Sequence, residues 1–269
     1  MGRQMGILNH SRAMRALALA WGLAWFGATA DLKAGTLGPS GSSEAVGSSA
    51  QPFGLFASPL SAGDLQEKWL GVERKLDDEQ VQLALCDADR ERCASPAALP
   101  FLAIVDAARA REGRARLGEI NRAINLAIRP MNDLAQYGQI DVWSSPLVTF
   151  AHGAGDCEDY AIAKFVALRL AGISPDDLRI VVMRDALSGE DHAVAAARLD
   201  GRWLTLDNRR MAMVEDTDER NTRPLFVIDQ HGVMQYVDTP LLANLPDQDR
   251  TPLMVPNFTA RPSSISLAH

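Results

Sequence analysis

Three residues of the chain have the types and order needed for covalent acyl chemistry: Cys157, His192 and Asp207. Cys157 stands in Gly153-Ala154-Gly155-Asp156-Cys157-Glu158-Asp159-Tyr160, and a helix-forming run follows from Ala161 to Leu170 and stops at Gly172. Two glycines signal a turn and Asp156 occupies the N-cap position, so Cys157 is predicted on the first turn of a helix. Unpaired N–H groups and the positive end of the helix dipole favour a thiolate there, which predicts a thiol pKa below the usual value of about 8.5. A free cysteine is more often a small buried hydrophobe. Asp156, Glu158 and Asp159 are poor company for that role, and the case turns on whether a base is within reach.

The base comes from a predicted hairpin. Arg179 to Asp185 reads as a strand, Ala186 to Glu190 as a polar connection, and Asp191 to Leu199 as a second strand. Asp200-Gly201 is a strong hairpin signal, and Arg202 to Asn208 forms the returning strand. A two-residue turn pairs Leu199 with Arg202 and therefore Val194 with Asp207. His192 and Asp207 then share a diagonal on one face, within reach of each other. Cysteine, histidine and carboxylate in this arrangement make a Cys-His-Asp triad: the ring takes the thiol proton, and the carboxylate fixes its tautomer and supports the imidazolium.

The stretch 153–164, the later Asp191-His192-Ala193-Val194 and Leu204-Thr205-Leu206-Asp207-Asn208 resemble the bacterial transglutaminase-like cysteine proteinase family, which includes periplasmic LapG-type proteases that release a biofilm adhesin. The resemblance covers roughly residues 62–238. It implies an α+β, papain/transglutaminase-like fold, with a helical N-terminal half and the nucleophile at a helix N-terminus packed on an antiparallel sheet. It also implies Cys157, His192 and Asp207 as catalytic residues and a calcium site on Asp156 and Glu158. Asp141, in the Asp-x-Trp element Asp141-Val142-Trp143, is a further candidate ligand. Carboxylate oxygens are hard donors and suit calcium, although no twelve-residue calcium loop is present. As partners the resemblance implies a protein substrate, a cell-surface adhesin in relatives, and an inner-membrane receptor that restrains such enzymes. The approach to the histidine, Gly189-Glu190-Asp191-His192, departs from the LapG pattern, a difference that bears on the identity of the substrate more than on the chemistry.

These residues need a scaffold, and the rest of the chain is patterned to provide one. Apolar residues on more than one face of 161–170 predict a helix buried on most sides, with Lys164 and Arg169 turned to water. Helices are predicted over 64–76 and 97–112. Leu117, Ile120, Ile124, Ile128 and Met131 form an amphipathic stripe that Pro130 ends or kinks. Residues 132–146 read as a loop leading to the nucleophile, with Trp143 a packing anchor or a wall of the cleft. Residues 209–223 read as an exposed loop, and 224–229 with 233–237 as a further hairpin.

The ends read differently. Arg3, Arg12 and Arg15, the apolar run 16–27 and Ala28-Thr29-Ala30 are the three parts of a secretory signal peptide over 1–30. The apolar run is shorter than the roughly 20 residues a membrane span needs. Residues 31–60 are rich in Gly, Ser and Ala and read as a flexible linker, 61–238 as the catalytic domain and 239–269 as a polar, proline-rich tail. Export to the periplasm frames the three cysteines. Cys86 and Cys93, with six residues between them, are predicted to form a local disulfide, which leaves Cys157 as the odd thiol.

At 269 residues and 47% hydrophobic composition the chain can bury one sizeable core, and a net charge of −7 argues against nucleic acid as a partner. The expected reaction is hydrolysis of peptide bonds through a thioester. The same machinery with an amine in place of water would be a transglutaminase, and a catalytically silent module that binds a peptide or receptor is the reading from a different class.

Overall fold

The computed structural model describes residues 51–237. The expected signal peptide, residues 31–50 of the expected linker and the expected tail lie outside the described residues. Residues 51–59 are built into the domain, where β1 (Phe56–Pro59) forms an edge strand. Phe53, Leu55 and Ala57 explain this, because they cover an otherwise open apolar sheet face.

α1 (Asp64–Ala88) begins with Asp64 and Glu67 against its positive end and buries Trp69, Val72, Leu83 and Cys86 along one stripe. It continues twelve residues past the predicted end at Leu76. Glu79, Leu83 and Cys86 keep the inward spacing through that polar stretch. Cys86 and Cys93 are disulfide-bonded just beyond its end. α2 (Ala98–Arg109) and α3 (Gly113–Ala127) bury Phe101, Leu102 and Val105, and Leu117, Ile120 and Ile124, at helical spacing. Each such side chain contributes about 1.5–3 kcal/mol of burial.

Past α3 come β2 (Arg129–Pro130), α4 (Asp133–Tyr137), α5 (Pro146–His152) and β3 (Ala154–Gly155). The region expected to be a loop, 132–146, thus contains one short helix, and a second begins at its last residue. Asn132 caps the first by accepting from Ala135 N, and Pro146 opens the second. β2 and β3 pair in parallel, Arg129 with Ala154 and Pro130 with Gly155, which brings the chain around Asn132 against the turn before Cys157.

α6 (Cys157–Leu170) is followed by β4 (Leu178–Asp185), β5 (Asp191–Leu199), β6 (Arg202–Leu206), β7 (Val214–Glu215), β8 (Thr222–Asp229) and β9 (Gly232–Val237). Their sheet has the order β1-β9-β8-β4-β5-β6-β7 with every pairing antiparallel. α6 lies against β5, and alanines on both partners, Ala163 and Ala167 on one and Ala193, Ala195 and Ala197 on the other, allow a close approach. On the opposite face Val181, Val194, Trp203 and Val227 pack under the 51–57 segment. Among the described residues no helix is long and apolar enough to cross a membrane.

Candidate active site

Cys157 is the first residue of α6, as the turn signal predicts. The hairpin register is also the predicted one: Leu199 faces Arg202 and Ala195 faces Leu206. That register carries His192 to Asp207, and His192 Nε2 lies 2.9 Å from Asp207 Oδ1 with both side chains buried. Burial pushes Asp207 up, but the hydrogen bond and charge of His192, the Arg209 N–H and the Arg210 guanidinium outweigh it and hold the carboxyl at about 2. An ionised Asp207 accepts the Nε2 proton, which leaves Nδ1 as the basic nitrogen of a neutral ring. Nδ1 is buried and has no hydrogen-bond partner.

Cys157, His192 and Ala193 line one cleft of about 390 Å³, with Leu65, Trp143, Val182 and Phe226 as its apolar walls. A second cleft, lined in part by Asn132, Asn208 and Arg209, also reaches Cys157. Cys157 therefore stands where two openings meet.

The thiol departs from expectation. Cys157 Sγ donates to Glu158 Oε2 at 3.1 Å, and burial followed by the Glu158 charge pushes the thiol up, not down. The helix start is present, but a dipole equivalent to about half a charge does not offset desolvation and adjacent carboxylates.

Asp156 does not cap α6 with its side chain. Instead Asp133, Asp156 and Glu158 offer carboxylate oxygens within 4.8 Å of one another. One oxygen each of Asp133 and Asp156 is buried without a hydrogen-bond partner, and burial together with the Glu158 charge pushes Asp156 up to about 9. Three hard oxygen donors, two with an orphaned atom, fit a divalent cation such as calcium. Asp141, the other ligand candidate, is not in this group. It pairs with Lys68 and accepts from Trp143 Nε1 at 2.9 Å, so it anchors the wall of the cleft. Asp133 takes the place expected of it, brought there by the β2–β3 bridge, and nothing local in the sequence marks it.

Further residues hold the site rigid. Asp159 is wholly buried on α6 and accepts from Ser144 N at 2.8 Å, tying the Trp143 loop to the helix that Cys157 opens. Burial raises its carboxyl to about 7. Glu79 accepts from Ser145 Oγ at 2.5 Å and from Leu147 N at 3.0 Å, anchoring the start of α5 to α1. Arg210 contacts Asp207 Oδ2 at 3.3 Å and Glu219 at 2.7 Å, so part of the predicted exposed loop lies against the carboxylate that faces His192.

The model of the bacterial transglutaminase-like cysteine proteinase family matches residues 81–223, a span that includes Cys157, His192 and Asp207. Among solved structures, Legionella pneumophila LapG is 20% identical over 58% of this chain and 86% of that chain, with a TM-score of 0.48. Its calcium-bound form is 21% identical over 54% and 82%, with a TM-score of 0.46. The EGTA-treated form is 20% identical over 60% and 86%, with a TM-score of 0.49. No curated protein matches the chain.

Proposed function

We propose that this chain, which belongs to the bacterial transglutaminase-like cysteine proteinases, is an exported, calcium-dependent endopeptidase that cuts a protein substrate with Cys157, His192 and Asp207. The observation that carries the triad is the buried His192 Nε2 to Asp207 Oδ1 hydrogen bond of 2.9 Å beside a cleft that also contains Cys157. In this reading His192 Nδ1 takes the thiol proton and Sγ bonds to the scissile carbonyl carbon. The imidazolium then gives its proton to the departing amine as the C–N bond breaks, leaving a thioester. Water, deprotonated by the same nitrogen, attacks the thioester and returns the free thiol. The Cys157 N–H, at the open end of α6, is suited to donate to the developing oxyanion.

Asp133, Asp156 and Glu158 are the residues that would hold calcium. A cation held there would supply positive charge beside Cys157, favouring the thiolate, and Glu158 as its ligand would no longer accept from the thiol. Export to the periplasm is supported by the signal-peptide pattern of 1–30 and by the Cys86–Cys93 disulfide. A surface adhesin is the substrate class favoured by the resemblance.

The test compares cells expressing the wild-type chain or Cys157→Ala, with calcium or with chelator, by mapping new protein N-termini in the released exoprotein fraction. Termini that appear only with the wild type and calcium are expected. The same termini with Cys157→Ala would sink the protease reading, and termini that persist in chelator would sink the calcium dependence.

A further inference from the structure

One buried charge has no part in the reaction above. Lys164 lies seven residues beyond Cys157 on α6, two turns along the same side of the helix. Although predicted to face water, it is wholly buried. Its Nζ donates to the backbone oxygen of Leu206 at 3.1 Å and lies 5.7 Å from the centroid of the Tyr160 ring. Leu206 is the last residue of β6, and the next residue is Asp207.

The neighbouring carbonyl is gripped as well. Asn125 Nδ2, on α3, donates to Asp207 O at 2.9 Å. Two helices thus hold successive peptide groups at the point where β6 delivers the carboxylate to His192. The charged group facing Lys164 across this contact is Asp207, and behind it stand His192 from β5 and Arg210 from the loop after β6. Desolvation lowers the lysine to about 7 against the pull of Asp207. Packing alone gives no reason for an amine here, since methionine has nearly the same volume and no charge to desolvate.

We propose that Lys164 is a positioning residue for catalysis: held to the Leu206 carbonyl from the nucleophile's own helix, it locks the end of β6 so that the Asp207 carboxylate stays on His192. The inference rests on the Cys157, His192, Asp207 reading and adds a part to it. It also sets function against stability. Below pH 7 the amine is protonated in both the folded and the unfolded chain, and its burial cost is fully present. As pH rises from about 7 towards 10.5 the folded chain gives up the proton first, so this group's contribution to stability rises across that window.

The test is Lys164→Met in the otherwise unchanged chain. Melting curves from pH 6 to 10 are read together with the downfield NMR signal of the His192 Nε2 proton and with kcat and KM on a peptide spanning a mapped cleavage site. The expected result is a variant that melts no lower than wild type at pH 6 and lacks the rise above pH 7. Its Nε2 signal is lost or shifted, and kcat falls about a hundredfold with little change in KM. A wild-type Nε2 signal and kcat would overturn the proposal. So would a variant that melts lower at every pH while each folded molecule stays fully active. Should Lys164→Met not fold, Lys164→Leu, which also lacks a donor, replaces it with the same readouts and the same two overturning results. Failure of the triad reading shows separately, as Cys157→Ala that still cuts.

Discussion

Cys157 Sγ donates to Glu158 Oε2, 3.1 Å away, and not to His192 Nδ1, which has no hydrogen-bond partner. Burial first, and then the acids that make the turn a fit for a cation, push the thiol pKa up. Alkylation by iodoacetamide at neutral pH should be slow in chelator and several-fold faster with calcium. Glu158→Gln removes one charge and one acceptor from the thiol, so in chelator it should react faster than wild type, and calcium should add little. Equal rates for both proteins, with and without calcium, would separate Glu158 from thiol activation.

Asp207 gives a second prediction, in which pH and activity separate. Its folded pKa of about 2 lies below the ordinary 3.8, so it contributes stability at neutral pH that is lost as pH falls from about 3.8 through 2. The size is about 2 kcal/mol. His192→Ala removes the main group holding the pKa down, and acid unfolding followed by circular dichroism should move to higher pH. Asp207→Asn should stay folded at pH 7 while kcat falls by roughly a thousandfold or more, because the ring loses its fixed tautomer. Full activity in the asparagine variant would show that the carboxylate does not orient His192.

Much of this site is legible in the sequence because its two halves are fixed by local rules. Gly153 to Asp156 stops one segment and starts α6, and the Asp200-Gly201 turn sets a register from which the His192 and Asp207 contact follows. Asp133 is not legible, because its place depends on a two-residue parallel bridge between segments some twenty-five residues apart. Lys164 misleads because lysine ordinarily seeks water, and only the assembled α6 and β6 show what it contacts. The fall in thiol pKa fails for a related reason: helix position can be read from the chain, whereas burial and the side chain facing the sulfur cannot. Residues 51–59 look like linker because four short residues of edge strand carry little pattern of their own.

The disulfide yields a prediction about folding alone. Cys86 is buried at the end of α1 and Cys93 closes a polar loop back onto it. Closing so short a loop restricts the unfolded chain by about 2–3 kcal/mol in the chain-entropy account. Cys86→Ala with Cys93→Ala should lower the melting temperature, with loss of activity only as the protein unfolds. Since the bond lies outside the clefts that reach Cys157, kcat at low temperature should be unchanged. A changed kcat would mean that α1 transmits strain to the cleft.

Gly155 yields the sharpest steric prediction. A Cβ there would lie 2.5 Å from Asp159 Oδ2 and 2.8 Å from Asp159 Cβ, closer than unbonded atoms approach. Neither side has room to yield. Gly155 pairs with Pro130 and accepts from Met131 N at 3.0 Å, while Asp159 is wholly buried and holds Ser144 N at 2.8 Å. If Asp159 moves, Ser144 is released and the Trp143 wall shifts. If Gly155 moves, the bridge that brings Asp133 to Asp156 opens. Gly155→Ala should therefore cost about 1–3 kcal/mol in denaturant unfolding, the usual range for overpacking. The folded fraction should also lose kcat/KM and calcium affinity together, because both depend on this one turn. Wild-type stability in Gly155→Ala would mean that Asp159 swings aside freely, and its bond to Ser144 could not then be what fixes the wall of the cleft.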